Sequence, residues 1–388
     1  MKILHINTER TWRGGEQQTL YLLQSLNQRR IMSHLVCQPA SLLAERALAA
    51  DIEVFPIAMR GEADLAAARQ LRKLIRTRNY DILHSHTSHA HSLAYLASIG
   101  CKTCRLVTRR VDFSIFRHSF LKLSGIKYRF MADYYIAISH KIKEVMINDG
   151  IPDQRIFVVH SGIDPQRFMQ ATGDHLLSEF DIKENQKVVI NVAHLAGHKG
   201  QNYLVRAIPR VLAKLPDTIF FIVGKGELMD ELKETASELG LKRGLIFTGF
   251  RNDVADFYKI ADLCVMSSVQ EGLGTAVLDA LALARPVVAT RAGGLPEIIE
   301  DGKTGRLVAP ADPRALAEGI IELLTDSDLA KAMASAGPAR VQQFFSIDAM
   351  VDKNIEVYKK IIATENKIRS LPRRSIADGG SSRPEFLF

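Results

Sequence analysis

The chain has 388 residues, of which 47% are hydrophobic and 24% are charged, and its mean hydropathy is −0.01. This length predicts two domains, and the composition excludes an intrinsically disordered or a fibrous chain. No stretch approaches the roughly 18–20 uncharged apolar residues of a membrane-spanning helix, and the N-terminus meets Glu9 and Arg10 too early for a signal peptide, so we expect a cytoplasmic protein.

Short apolar runs, rich in β-branched residues, alternate with amphipathic stretches along the whole chain. In the first half, these runs predict strands at residues 2–7, 34–38, 53–57, 81–84, 105–108, 135–138 and 157–160. In the second half, they predict strands at residues 187–193, 218–223, 245–248, 263–266, 286–289 and 305–308. Continuous apolar strands separated by helical segments are typical of βαβ units and of parallel sheets covered on both faces. The predicted fold class is therefore α/β.

Turn residues at 160–165 end the first series of strands, and a polar segment precedes the second series. We therefore predict an N-terminal domain of residues 1–165 and a C-terminal domain of residues 166–345. A last helical segment is predicted at residues 346–365, and the polar residues 366–388 are predicted to be disordered. Open parallel sheets bind ligands at the C-terminal ends of their strands, so functional residues are expected in the loops that follow strands.

The net charge of +8 comes entirely from the first half of the chain. Residues 1–165 contain 23 Lys and Arg against 14 Asp and Glu, whereas residues 166–388 contain 28 against 29. Such an excess predicts an anionic partner: nucleic acid, a membrane surface or an acidic substrate. Between residues 102 and 129, cations interleave with aromatics, as in a membrane-surface helix, a nucleic-acid groove or a core helix with a solvated basic side. The candidate membrane or acceptor face consists of Arg109, Arg110, Arg117, Lys122 and Lys127.

Three glycine-containing loops follow predicted strands and could hold phosphate or sugar. These loops contain Gly14-Gly15, Lys199-Gly200 and Gly272-Leu273-Gly274-Thr275. Glycines let the backbone approach a ligand, helix N-termini favour anions, and a nearby lysine can neutralise phosphate. A tight turn and a solvated lysine are the plain alternatives. No G-x-G-x-x-G fingerprint follows any strand, which disfavours a dehydrogenase.

Two acids flank the third loop. Glu271 precedes the glycines and Asp279 follows them eight residues later. This spacing is about two helical turns and places both side chains on one side if the helix begins early. Glu271 would then lie in the loop near a sugar, and Asp279 within the helix near a ribose.

Four histidines lie close together in the first half: His84, His86, His89 and His91. The first two share a face of a strand, whereas the last two do not share a face of a helix, so a tetrahedral metal site would need irregular backbone. Lining of a sugar cleft is favoured over metal binding, and a polar capping role is the other alternative. The lone C-x-x-C motif at residues 101–104 has no second pair at metal spacing, which favours free thiols over a zinc or redox site.

The motifs occur in a definite order along the chain. They are Gly14-Gly15, Asp81-Ile82-Leu83-His84-Ser85-His86, Gly162-Ile163-Asp164, Lys199-Gly200, Val223-Gly224-Lys225-Gly226, Gly249-Phe250-Arg251-Asn252-Asp253-Val254, Glu271-Gly272 and Ala292-Gly293-Gly294-Leu295-Pro296-Glu297. In this succession, residues 1–365 resemble the retaining glycosyltransferases of family 4, which have the GT-B fold. The resemblance implies two Rossmann-like domains facing a cleft, with a C-terminal helix that returns to the N-terminal domain.

The resemblance also implies roles for individual residues. Lys199 would hold the donor pyrophosphate with the backbone of the third loop, and Glu271 would contact the hydroxyls of the donor hexose. Asp279 would contact the ribose, and Arg251 would border the nucleotide base. The remaining donor-binding residues would be Gly15, His194, Gly272, Leu273, Gly274 and Thr275.

Three positions depart from the family pattern. Asp279 replaces a glutamate and is one methylene shorter, so the ribose contact would need the helix to lie closer. His194 replaces an arginine, which weakens the second phosphate charge unless the histidine is protonated. A histidine common after the fifth strand is replaced by Arg109-Arg110, so His86 is the catalytic histidine expected in the cleft.

By this resemblance, the chain would transfer a sugar from a nucleotide-diphosphate sugar to an acceptor hydroxyl with retention of anomeric configuration. The departing phosphate would help to take the acceptor proton, so neither a protein nucleophile nor a metal cofactor is expected. The expected acceptor is a lipopolysaccharide or another envelope glycan, with the protein peripheral on the inner face of the cytoplasmic membrane and no nucleic acid bound. A GT-B nucleotide-sugar epimerase and a nucleic-acid-binding α/β protein are the alternatives.

Overall fold

Two parallel sheets form the framework of the chain in a computed structural model, which describes residues 1–116, 124–241 and 244–370. The first sheet contains β1 (Lys2–Ile6), β2 (Met32–Cys37), β3 (Val54–Pro56), β4 (Ile82–Ser85), β5 (Cys104–Arg109), β6 (Tyr134–Ala137) and β7 (Ile156–Val158). The second contains β8 (Lys187–Val192), β9 (Thr218–Val223), β10 (Leu245–Gly249), β11 (Leu263–Met266), β12 (Val287–Thr290) and β13 (Arg306–Val308).

Helices connect the strands. In the N-terminal half they are α1 (Gly14–Gln28), α2 (Leu42–Leu48), α3 (Leu65–Arg78), α4 (Ser88–Ser98), α5 (Ser124–Phe130) and α6 (His140–Asn148). In the C-terminal half they are α7 (Asp174–Glu179), α8 (Gln201–Leu212), α9 (Met229–Glu238), α10 (Val254–Ile260), α11 (Thr275–Ala282), α12 (Leu295–Ile298), α13 (Pro313–Thr325), α14 (Ser327–Phe344) and α15 (Ile347–Ser370). Short 3₁₀ turns are Asp153–Arg155, Pro165–Phe168 and Gly197–Lys199.

The strand order of each sheet reverses once. The first sheet runs β3-β2-β1-β4-β5-β6-β7 and the second runs β10-β9-β8-β11-β12-β13. The reversals lie between β1 and β4 and between β8 and β11, and a crevice opens outside the strand ends at each of these points. The three glycine-containing loops follow β1, β8 and β11, so all of them start at a crevice.

Several strands are buried along their whole length, as parallel strands covered on both faces should be. Every residue of β9, with the sequence TIFFIV, is buried, and so is every residue of β4. Aromatic and β-branched side chains fit such a pleated surface and pack against the helices on either side. The apolar pattern of the sequence is therefore explained by burial on both faces.

The last helix, α15, packs on the N-terminal sheet. Tyr358 and Ile361 are fully buried in one apolar cluster with Leu22 and Leu26 of α1. The Tyr358 hydroxyl also lies 2.7 Å from Nδ1 of His84, which belongs to β4. The C-terminal end of the chain thus completes the core of the N-terminal half, as the family resemblance implied.

The chain passes from one half to the other beside a side-chain amide of α1. Gln18 Nε2 donates to the carbonyl of Gly162 at 2.7 Å, and its Oε1 accepts from the Gly162 N–H at 2.9 Å. Ile163 then pairs with Ser346, where the chain crosses back. The two crossings are therefore adjacent and are held by α1.

The thirteen strands predicted from sequence are all present among the described residues, with ends that differ by two residues or fewer. The prediction of disorder from residue 366 is wrong for residues 366–370, because α15 continues to Ser370 and the next helix-breaking proline is Pro372. Residues 371–388 lie outside the described residues. Among the described helices, none combines the length and the apolar composition that crossing a bilayer requires.

Candidate active site

The strand-end loops of the two halves touch each other. Asp112, shortly after β5, accepts a hydrogen bond from the backbone N–H of Glu271 at 2.9 Å. The carbonyl of Arg110 approaches Gly272 so closely that a Cβ at position 272 would lie 2.5 Å from it. A side chain there would displace one of the two loops. The loops after β5 and β11 therefore form one continuous wall where both crevices meet.

Glu271 carries a buried carboxylate that contacts a lysine. Its Oε2 lies 2.6 Å from Lys199 Nζ and 3.0 Å from Ser268 Oγ. The side chains of Glu271 and Lys199 are 9% and 19% exposed, so water screens their attraction only weakly. Lys199 ends a 3₁₀ turn instead of starting the following helix, which begins at Gln201. The structure thus joins two residues that the sequence analysis assigned to one donor.

The loop beside this pair offers backbone amides to a ligand. Helix α11 begins at Thr275, and Gly274, at φ +100°, occupies the N-cap without any side-chain hydrogen bond. Amides at an uncapped helix N-terminus favour an anion. Leu273 points into the core, so only its backbone can reach a ligand. Behind the loop, Gly293 at φ +54° leaves no room for a side chain, because a Cβ would lie 1.7 Å from the Glu271 carbonyl oxygen.

Asp279 is buried in α11 and has an arginine as its partner. Arg167 Nη2 donates a hydrogen bond to its carboxylate. Burial raises the pKa of Asp279 to about 6, and the Arg167 guanidinium opposes that rise. A ribose hydroxyl that contacts Asp279 would have to share the carboxylate with Arg167.

Two other expected donor-binding side chains have acidic partners. Arg251 forms salt bridges with Glu179 and with Asp253, each with an N–O distance of 2.7 Å. His194 is 60% exposed, and its Nε2 lies 3.3 Å from Glu227 Oε2. Each of these two side chains therefore lies next to a carboxylate, and their contacts with a nucleotide stay predictions.

The predicted histidine cluster is replaced by a different one. His84 and His86 are buried with His5, whose Nδ1 lies 3.0 Å from His86 Nε2. Burial lowers the pKa of all three imidazoles, and the nearby Arg110 guanidinium lowers the pKa of His84 and His86 further. His86, expected as a catalytic histidine, is therefore neutral at physiological pH. Neutral imidazoles are good metal ligands, but the neighbouring guanidinium disfavours a metal cation.

The other two histidines of the predicted cluster lie apart from it. His89 is exposed on α4, whereas His91 is buried and packs edge-on against the Tyr128 ring at 5.3 Å. Residues two positions apart on a helix point in different directions, as the sequence analysis noted. None of the four cysteines, all of which lie among the described residues, forms a disulfide bond.

Two of the residues predicted to form a membrane face are internal. Arg109 is buried and donates to the Tyr128 hydroxyl at 2.9 Å and to the carbonyl of Phe113. The side chain of Lys127 is 12% exposed, and its Nζ lies 2.5 Å from Glu62 Oε1. The prediction is wrong for both residues, because these cations serve as internal hydrogen-bond donors.

Arg110, predicted for the same membrane or acceptor face, lies on the crevice side. Its side chain lies beside Gly15, at the start of α1, and not on an outer face. Arg117 and Lys122 lie outside the described residues. The basic stretch therefore provides at least three internal or crevice-facing cations.

Three residues that the sequence did not single out as site residues also hold the site together. Asp112 bonds the Glu271 backbone, and Arg167 bonds Asp279. Glu297 accepts hydrogen bonds from the backbone N–H groups of His140 and Lys141 and so joins α12 to α6. Asp112 had a usable signal, because it is the single acid between residues 102 and 129.

The two Rossmann-like parallel sheets, whose strand-end loops touch beside a lysine–carboxylate pair and a helix N-terminus without a side-chain cap, have the arrangement of the GT-B fold. The chain belongs to the glycosyltransferases of group 1 and family 4. The model described as Glycosyltransferase Family 4 matches residues 12–167, and the model described as Glycosyl transferases group 1 matches residues 175–340. The family expected from the motifs is thus confirmed, and the epimerase and nucleic-acid alternatives are not favoured.

Curated relatives extend over most of the chain. The UDP-Gal:alpha-D-GlcNAc-diphosphoundecaprenol alpha-1,3-galactosyltransferase of Escherichia coli is 25% identical over 387 residues, covering 94% of this chain and 98% of that protein. The N-acetyl-alpha-D-glucosaminyl L-malate synthase of Bacillus anthracis is 26% identical, covering 77% and 80%. Anabaena HepE, solved in complex with UDP and glucose, has a TM-score of 0.80 at 22% identity, covering 93% and 100%. This last similarity supports the fold.

The Asp279 environment makes a prediction about stability. Burial holds the pKa of Asp279 in the folded protein near 6, above the ordinary value of 3.8. As the pH rises, the Asp279 carboxyl therefore loses its proton in the unfolded chain before it does so in the folded protein. Ionisation of Asp279 should therefore lower the free energy of unfolding progressively from about pH 4 to about pH 6. Above this window the total loss should reach about 3 kcal/mol. Urea unfolding should show Asp279→Asn gaining stability relative to the wild type across this window.

The exposed Asp328→Asn in α14 is the matched control and should follow the wild type at every pH. A gain of wild-type stability over Asp279→Asn between pH 4 and pH 6 would show that the Arg167 charge outweighs burial.

Proposed function

We propose that this protein transfers a sugar from a nucleotide-diphosphate sugar to an acceptor hydroxyl with retention of anomeric configuration. The observation that carries the proposal is the Lys199–Glu271 pair, which lies beside the uncapped N-terminus of α11 where the second sheet reverses. This arrangement places a cation, backbone amides and a carboxylate acceptor within one loop cluster.

The chemistry divides between these groups. Lys199 and the α11 amides would stabilise the charge that develops on the leaving diphosphate, which is the largest electrostatic demand of the reaction. These groups supply that stabilisation without a metal ion. Glu271 would accept hydrogen bonds from hexose hydroxyls and so orient the anomeric carbon.

The proposed retaining course uses no covalent bond to Glu271, and the way this carboxylate is held supports that. Lys199 and Ser268 both donate to its Oε2, which lowers the nucleophilicity of that oxygen. The acceptor would then attack from the face that the diphosphate leaves, and a phosphate oxygen would take the acceptor proton. The carbon–oxygen bond to the diphosphate breaks as the new glycosidic bond forms.

The proposed acceptor is a lipid-linked or other envelope glycan. Support comes from the Escherichia coli relative, whose name specifies a diphosphoundecaprenol-linked acceptor. The proposed membrane contact uses the end of α5, where Phe130 is 61% exposed and Arg129 is exposed beside it. An exposed aromatic next to a cation suits an anionic membrane surface.

Donor binding is tested by thermal unfolding of the full chain with a panel of nucleotide-diphosphate sugars, UDP-hexoses first. A bound donor stabilises the folded state by mass action, so one base and one sugar should raise the midpoint temperature more than all others. The proposed function would be contradicted if no nucleotide-diphosphate sugar of the panel raised the midpoint temperature of unfolding.

Loss of the lysine charge should slow the reaction. Lys199→Ala should lower kcat about 10²–10³-fold, as expected when one stabiliser of developing charge is removed. Initial rates with the donor selected by the panel are the measurement. Lys199→Arg should keep part of the rate, and the exposed Lys214→Ala should keep all of it. Near-normal turnover of a folded Lys199→Ala variant would remove Lys199 from the phosphate site.

Membrane contact is tested by co-sedimentation with vesicles of phosphatidylglycerol and phosphatidylethanolamine. Phe130→Ser should reduce the bound fraction several-fold, because an apolar anchor is lost. The control is Phe344→Ser, since Phe344 is 41% exposed and also lies near an arginine. Equal binding of both variants and the wild type would reject the α5 surface.

A further inference from the structure

Arg110 lies between the two loops that the proposed function assigns to the donor. Its carbonyl faces Gly272 in the loop after β11, and its side chain runs past the start of α1. A Cβ on Gly15 would lie 3.6 Å from Arg110 Cδ and 3.7 Å from its Nε. The guanidinium thus reaches the crevice of the first sheet from the wall that both halves share.

This cation has no ion-pair partner among the residues that the structure describes. Its Nε is buried and forms no hydrogen bond within the described chain. Burial lowers the pKa of Arg110 to about 10, so the side chain stays charged at neutral pH. The acid whose charge acts on this guanidinium is Glu16, whose oxygens already accept hydrogen bonds from Asn7 Nδ2 and the Arg13 N–H at 3.1 Å.

A second positive feature lies next to this guanidinium. Helix α1 begins at Gly14, and the side chain of its N-cap residue, Arg13, forms no capping hydrogen bond. The first amides of α1 therefore carry partial positive charge toward the same space. A half-buried cation beside a helix N-terminus is costly in the absence of an anion, and an anion bound there would interact favourably with both the guanidinium and the amides.

The other basic side chains of the site do not supply all the positive charge that a bound diphosphate needs. Lys199 is paired with Glu271, so that pair is neutral overall. His194 is exposed and lies beside Glu227. A nucleoside diphosphate carries more than one negative charge. Among the described residues of the shared wall, Arg110 is a cation with no carboxylate in contact.

We propose that Arg110 binds the diphosphate of the donor, as a second cation supplied by the N-terminal half together with the Gly14-Gly15 amides. The assignment rests on the proposed function and adds a residue to it. Its consequence is that donor binding uses groups from both halves of the chain. A guanidinium also fits phosphate better than an ammonium group does, because it donates two parallel hydrogen bonds.

Calorimetric titration of the wild type, Arg110→Met and Arg110→Lys tests this assignment. The probes are UDP, GDP, inorganic pyrophosphate and uridine. Arg110→Met should weaken the preferred nucleoside diphosphate and pyrophosphate about 10–100-fold, and leave uridine binding unchanged. Arg110→Lys should give an intermediate loss. The exposed Arg10→Met, in the loop after β1, is the control for a general field effect and should change binding less than 3-fold.

Thermal unfolding without ligand shows whether the Arg110→Met variant is folded, so that a loss of affinity is not caused by misfolding. Removal of this half-buried cation, which has no ion-pair partner among the described residues, should leave the midpoint of Arg110→Met unchanged or raise it. Unchanged pyrophosphate and nucleoside diphosphate affinity in Arg110→Met would overturn the proposal, and a rise confined to the acceptor KM would reassign Arg110 to an anionic acceptor. If the wild-type protein binds pyrophosphate but no nucleoside diphosphate, the proposed nucleotide-sugar donor is wrong. The comparison of pyrophosphate affinity between the wild type and Arg110→Met would still show whether Arg110 binds the diphosphate.

Discussion

The buried carboxylate of Glu271 is the constraint on which the site depends. A carboxylate shielded from water requires a cation and hydrogen-bond donors, and here Lys199 and Ser268 provide them. The backbone of the same residue is held from two further sides, by Asp112 across the cleft and by the N–H of Gly294, which donates to its carbonyl at 2.9 Å. One residue thereby fixes the loops after β5, β8, β11 and β12 relative to one another.

The fold could be predicted well from sequence because its signal is local. Each buried strand is a short apolar run between polar turns, and a parallel sheet covered on both faces leaves that pattern uninterrupted. The same reasoning placed Lys199 and Glu271 in loops after strands, and the structure brings them into contact. The length of α15 was underestimated because a polar helix end has no apolar periodicity to mark it.

The parts of the site that could not be predicted depend on pairing between distant residues. Lys127 and Glu62 are 65 positions apart, and Asp279 and Arg167 are 112 apart, so nothing local indicates that either pair forms. A count of charges also treats every cation as solvated. The excess of positive charge in the first half suggested an outer face, whereas burial of Arg109 shows that part of the excess stabilises the interior.

The position of α15 has a consequence for biosynthesis. Tyr358 and Ile361 fill the core beside α1, yet they are made long after α1 and its strands. During translation, α15 is made only after the second half of the chain is complete. Until then, the apolar cluster of the first half that α15 completes stays open, and uncovered apolar surface favours aggregation or chaperone capture.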